Sequence, residues 1–216
     1  MQFEEELARV LPPDIPNRFR LIDKAAQHLR LIASANEYMN ITRIMTPHEA
    51  AIKHVYDSVA PWKHFSGAKR ILDAGTGAGF PGVPLAVVLP DTRFTLAESI
   101  QKKARFVDSV VESLELTNVH VSAERAEAQM LPQPPEIITA RAVAPIHRLL
   151  ELFGKALKQG SHLLLYKGPE VETELQEAQN CRVDASILCR YDLPDGLGAR
   201  TLISIRAQGR GVRNAS

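Results

Sequence analysis

No apolar run in this chain approaches the ~20 residues that a membrane-spanning helix needs. Its first residues, MQFEEELARV, are acidic and mixed, unlike a signal or Arg-rich transit peptide. Cysteine is scarce. Cys181 and Cys189 match neither a disulfide framework nor a zinc spacing, so a reduced, cytoplasmic protein without a metal centre is expected. Charge of one sign is missing too: 26 Lys plus Arg stand against 25 Asp plus Glu. A nucleic-acid contact would have to come from local patches rather than a global field. Aromatic residues make up 6%, and neither an internal repeat nor a low-complexity tract interrupts the chain. What remains, 45% hydrophobic and 24% charged over 216 residues, is the composition of an ordinary globular protein with room for one large domain plus an extension.

Two regions differ in pattern. Residues 1–67 read as a helical extension packing on a sheet domain. Phe19, Ile22, Ala26, Leu29 and Ala33 recur at helical spacing, Asn40 and Thr42 end that helix, and Thr46-Pro47 starts another that Pro61 stops. Tyr38 and Trp62 are placed in the core rather than on a nucleic acid. Residues 68–208 alternate strands (RILDA, RFTLAE, NVHV, EIITARA, HLLLYKG) with helices, and close with two strands that no helix separates. The fold class expected is α/β: a Rossmann-like, mostly parallel seven-stranded sheet with one antiparallel strand from a closing hairpin. Residues 209–216 form a polar tail, expected to be disordered.

The chemistry centres on DAGTGAGFPG, Asp73 to Gly82, at the end of the first strand. Such a turn lies at the ligand-binding edge of a doubly wound sheet. Read from Gly77 it fits the dinucleotide pattern G-x-G-x-x-G; read from Asp73 it fits the D-x-G-x-G-x-G loop that holds S-adenosylmethionine. Asp73, two residues before Gly75, disfavours a pyrophosphate and suits the cationic ammonium of a methionine moiety, directly or through water. The loop carries no basic residue, and Phe80-Pro81 offers an apolar wall. Glu98, 19 positions beyond Gly79, stands where an acidic residue grips ribose hydroxyls in either ligand.

Beyond the loop, the chain carries N-I-T from Asn40, H-x-x-D-S from His54, L-A-E-S-I-Q-K-K, E-R-A-E from Glu124, T-A-R-A-V-A from Thr139 and Y-K-G from Tyr166. In this order and together, these motifs resemble those of the bacterial small-subunit (16S) ribosomal RNA guanine-N7 methyltransferases, the glucose-inhibited division protein B family. The resemblance runs from Asn40 to Gly168. That family usually carries Asp where this chain has Glu98, whose longer arm still reaches a ribose.

The resemblance implies S-adenosylmethionine as cofactor and 16S rRNA as partner, free or within the small subunit or an assembly intermediate, for an enzyme expected to be a monomer. It implies that Gly75 and Phe80, with Gly77 and Gly79, line the cofactor loop, that Ala126 and Glu127 hold the adenine end, and that Arg141 lies beside cofactor and target base as the catalytic contact. Guanine N7 has an exposed lone pair, so alignment replaces a general base, and proximity can supply on the order of 7–11 kcal/mol. Lys102, Lys103 and Lys167 are further candidates for RNA contact, against a solvated face for the first two. His54 and Asp57, three apart on one helix, are read as a pair fixing that helix to the sheet. A small-molecule methyltransferase on the same sheet, and a nucleoside- or RNA-binding module without turnover, stay open beside this reading.

Overall fold

The computed structural model describes residues 2–44, 46–130, 133–179 and 181–208; the tail expected over 209–216 lies outside them. The N-terminal part is helical: α1 (Gln2–Val10), α2 (Arg18–Met39), then α3 (Pro47–Ala50), a π-helical stretch (Ala51–Tyr56) and α4 (Asp57–Val59) in direct succession. Thr46 caps α3 by accepting from the Glu49 amide, with Pro47 in the first turn. Asn40 ends α2 in the left-handed conformation at φ 49°, as its sequence position predicts.

The rest alternates β1 (Arg70–Ala74), α5 (Gly82–Val88), β2 (Arg93–Ala97), α6 (Gln101–Ser113), β3 (Val119–Ser122), β4 (Ile137–Arg141), α7 (Ile146–Lys158), β5 (His162–Lys167), α8 (Glu172–Gln179), β6 (Val183–Asp192) and β7 (Ala199–Ala207). They form one seven-stranded sheet in the order β3-β2-β1-β4-β5-β7-β6. Only β7 runs against its neighbours, pairing antiparallel with both β5 and β6. Both faces are covered. Ile71 joins a core shared by the N-terminal helices, α5 and α6, whereas Leu72, the next residue, joins the core under α7 and α8. This double burial is why the inner strands read as unbroken apolar runs.

Two expectations for the N-terminal helices need correction. Phe19 is 85% exposed and Ala33 is also on the surface; the buried stripe of α2 is Leu21, Ala25, His28, Leu29, Ile32 and Ala35, with Ala26 beside it. The apolar-only pattern missed this register because one of its members is a histidine. Tyr38, expected in the core, is 75% exposed, since it falls outside that stripe; Trp62 is partly buried against the core. Among the described residues no helix is long and apolar enough to cross a membrane.

Strand order reverses between β1 and β4, which opens a crevice at their carboxyl ends. Gly82 is buried beneath the loop at this edge: a Cβ there would lie 2.2 Å from Leu96 Cδ2 and 2.7 Å from Asp73 Oδ2. A Cβ added at Gly154, inside α7, would meet nothing within 4 Å. Gly82→Ala is therefore expected to destabilise by about 1–3 kcal/mol through overpacking, and Gly154→Ala to stabilise by about 0.5–1 kcal/mol. Urea denaturation of the two variants checks both signs.

Candidate active site

The glycine loop after β1 is tied down from three sides. The Gly75 and Thr76 amides both donate to the Ala97 carbonyl at the end of β2, at 2.9 and 3.1 Å, and the Gly79 and Phe80 amides to the Thr76 carbonyl at 3.0 Å. Asp73 Oδ2 accepts from Thr76 Oγ1 at 2.6 Å and from the Gly82 amide at 2.9 Å. Asp73 is fully buried, its other oxygen has no hydrogen-bond partner, and its side chain does not line the cleft. Direct contact with a ligand ammonium, one of the two routes the sequence suggested, is thus replaced by a latch that holds the loop against α5. The strand alternation decides this: the Asp73 side chain projects under the loop rather than over it.

A cleft of about 670 Å³ opens in front of the loop, and a cavity of about 160 Å³ lies behind it. Gly75 and Val143 line both. Gly75 sits at φ +68°, and a Cβ there would come within 2.9 Å of Val143 Cγ2, so the loop after β4 and the loop after β1 approach as closely as a missing side chain allows. Glu98 is buried at the cleft wall and accepts from the Gly77 amide at 3.2 Å and the Ile100 amide at 2.8 Å. Phe80, with Gly77, faces the same cleft. Ala126 and Glu127, on a 3₁₀ turn, line the smaller cavity with Leu149, Leu152 and Phe153, an apolar setting for a flat ring. The positions named from sequence are therefore brought together, except Asp73 beneath the loop, Gly79, held by Thr76, and Lys102, which is exposed outside the cleft.

Arg141, at the end of β4, lies on the cleft wall opposite Glu98. Its Nη1 reaches Asp57 Oδ2 at 3.2 Å, the Lys53 and His54 carbonyls at 3.1 and 3.4 Å, and Ser58 Oγ at 3.4 Å. All four contacts use one nitrogen, which leaves Nε and Nη2 uncommitted among the described residues. Two of the four partners, the Lys53 and His54 carbonyls, belong to the π-helical stretch. Asp57 also holds Arg200 Nε at 3.3 Å and the Tyr191 hydroxyl at 2.9 Å. Of the pair expected to fix this helix to the sheet, only Asp57 reaches strand residues; His54 Nε2 instead meets Thr42 Oγ1, in the loop after α2, at 3.1 Å. Lys167 lines the cleft with its ammonium held by the Ala144 carbonyl at 3.0 Å and Glu174 at 2.8 Å; Lys103 lines it from α6.

With this geometry in place, comparison with known proteins is decisive. The family model described as rRNA small subunit methyltransferase G matches residues 21–189. A relative from Solibacter usitatus strain Ellin6076, named ribosomal RNA small subunit methyltransferase G, is 54% identical over 95% of this chain and 100% of its own length. The chain belongs to the rRNA small subunit methyltransferase G family. A relative of the same name from Carboxydothermus hydrogenoformans is 35% identical over 82% of this chain and 79% of its own. Among solved structures, an O-methyltransferase from Bacillus cereus in complex with SAH aligns with TM-score 0.57 at 19% identity, over 83% of this chain and 91% of that one. A SAM-dependent O-methyltransferase from Thermotoga maritima aligns at 0.55 and 17%, over 83% and 72%. These two share the Rossmann-like fold.

One residue of this family member's site is absent from any sequence motif. His28, on α2, is fully buried; its Nε2 lies 2.8 Å from the Ala78 carbonyl, and its ring stacks on Phe80 at 4.7 Å. His54 stacks on the same ring at 4.6 Å, and the Arg141 guanidinium stands 5.5 Å from its centroid. The only signal available beforehand was a histidine at a core position of a helical stripe. Burial pushes the His28 imidazole down to about 4. Burial, then the Arg141 charge, pushes His54 to about 3. Burial raises Asp73 to about 6 against the pull of its two hydrogen bonds.

These shifts set an acid response. Between pH 4 and 6, unfolding makes two histidines take up a proton while Asp73 releases one, a net uptake of about one. Stability thus falls as pH drops through this window, by about 1.4 kcal/mol per unit from these groups. Urea midpoints from pH 4 to 7 should show the fall, and His28→Phe should flatten it by about one proton; an unchanged slope in that variant would refute the neutral buried imidazole.

Proposed function

We propose that this chain is an S-adenosylmethionine-dependent methyltransferase acting on N7 of a guanine in 16S rRNA, as a monomer, on the small ribosomal subunit or an assembly intermediate of it. The observation that carries the reading is one crevice in two parts that share Gly75 and Val143: a small cavity lined by Ala126, Glu127, Leu149 and Phe153, and a wider cleft that holds the charged side chains of Glu98 and Arg141. The residues fit the cofactor. The Ala126–Glu127 turn and Phe153 suit an adenine ring, and Glu98, held by two amides, keeps lone pairs for ribose hydroxyls. Gly75 and Gly77 let the methionine end approach the backbone. When bound, the cofactor supplies an electrophilic methyl group.

The chain's own task is then alignment. Guanine N7 already presents its lone pair, so no side chain needs to remove a proton, and the two histidines of the cleft region are neutral above pH 5. Arg141 is the contact to the target base. Its Nη1 is anchored by Asp57, and Nε and Nη2 suit guanine O6 or an adjacent phosphate. Lys103, at the cleft edge, and Lys102, outside it on the same helix, place further positive charge toward the RNA backbone, whereas the Lys167 charge is already paired with Glu174. With a formal net charge of +1, long-range attraction to RNA is weak. Recognition of the assembled particle's shape therefore carries more of the specificity.

Labelled methyl transfer to undermethylated small subunits, followed by mapping of the modified nucleotide, tests this directly; label on a base other than a 16S guanine overturns it. Arg141→Lys, which keeps the charge but loses the planar fork, is expected to lower kcat/KM about 10- to 100-fold with the chain still folded. Wild-type activity in that variant would remove Arg141 from the base contact.

A further inference from the structure

We propose that His28 is a positioning residue for the cofactor loop, so that helix α2, outside the strand–helix alternation, completes the cofactor site. This rests on the methyltransferase reading above and concerns a residue that no motif of the chain contains.

The geometry is specific. A carbonyl only accepts, so the 2.8 Å contact with Ala78 places the proton on His28 Nε2. Nδ1 is then an acceptor, buried without a partner among the described residues, a cost that a helix-packing role alone would avoid by using leucine. The ring lies 22° from the plane of Phe80, and its Cε1 would be 3.1 Å from a Cβ on Gly79. His28 thus touches the Ala78 carbonyl and the Phe80 ring, and fills the space that a side chain on Gly79 between them would need. Ala78 and Phe80 both line the cleft, and the preceding amide, Gly77, is the one that Glu98 accepts from. Holding the Ala78 carbonyl from behind fixes the Ala78–Gly79 peptide plane and restricts the torsions leading back to Gly77, whose amide donates to Glu98. The support comes from 50 residues upstream, across the core.

Three variants separate positioning from bulk stability. His28→Phe keeps a ring and loses the donor, His28→Gln keeps a donor and loses the ring, and Leu21→Ala opens a hole in the same helix face away from the loop. Calorimetry with S-adenosylhomocysteine should show His28→Phe binding about tenfold more weakly, the size of one lost hydrogen bond, with His28→Gln partly restored. Methyl transfer should show this as a raised KM for S-adenosylmethionine with kcat largely kept. Hydrogen exchange at the Gly79, Phe80 and Gly82 amides, measured without ligand, should quicken about tenfold in His28→Phe. Leu21→Ala should lower Tm and change neither affinity nor loop exchange. The proposal falls if His28→Phe keeps wild-type loop exchange, or if Leu21→Ala reproduces its losses. If His28→Phe does not fold, His28→Gln and Phe80→Leu are read in the same way, and unchanged loop exchange in both overturns it. A wild-type chain that does not bind S-adenosylhomocysteine would defeat the methyltransferase reading instead, while loop exchange would still decide the role of His28.

Discussion

The Asp57 carboxylate, 2% exposed, is the point on which the active-site wall depends. A buried charge is costly unless it is paired and hydrogen-bonded. Here it is met by two arginines, from the ends of β4 and β7, and by the Tyr191 hydroxyl from β6. Asp57 itself sits at the start of α4. One side chain therefore ties the N-terminal helices to three strands of the sheet, including the antiparallel closing hairpin. Removing it would leave two cations facing each other at the rim of the crevice. Burial and the Asp57 charge also push the Tyr191 hydroxyl well up, so it stays a neutral donor and never competes with the arginines for charge.

The same economy appears in the glycine loop. Its amides are almost all committed to protein partners: Gly75 and Thr76 to β2, Gly79 and Phe80 to Thr76, Gly77 to Glu98, Gly82 to Asp73. A loop so fully bonded does not need a ligand to become ordered. Binding then loses little to the ordering of flexible backbone, which favours a preformed pocket for a cofactor whose reactive carbon must be placed closely.

The sheet was legible because its signals are local and redundant. Each inner strand is an apolar run bounded by turns, and α6 and α7 show their faces through Phe106, Val110 and Leu149, Phe153. The loop was legible as a nucleoside-binding turn from its glycines, and its choice of cofactor from Asp73, Phe80-Pro81 and the downstream motifs, because the glycine spacing alone fits two ligands. What was not legible depends on direction or distance. Asp73 occupies a strand end where a one-residue change of face separates ligand contact from burial, and sequence position alone does not give the face. His28 acts on a carbonyl contributed by Ala78, which leaves no trace in side-chain identity at the receiving end. Phe19 is the opposite error: a large apolar residue in the first turn of α2, turned to solvent because the core stripe begins at Leu21.

The π-helical stretch, Ala51–Tyr56, adds one residue to a helical turn, with the Asp57 amide bonded to the Ile52 carbonyl five residues back. Each residue of an α-helix advances about 100° around its axis. The wider turn absorbs that extra residue, so Asp57 keeps the bearing toward Arg141 that regular winding would give it in a segment one residue shorter. The count of residues between Pro47 and Asp57 is thus as much a part of the active site as their identities. An insertion that the winding could not absorb would turn Asp57 away from Arg141 even if every side chain in the crevice were preserved.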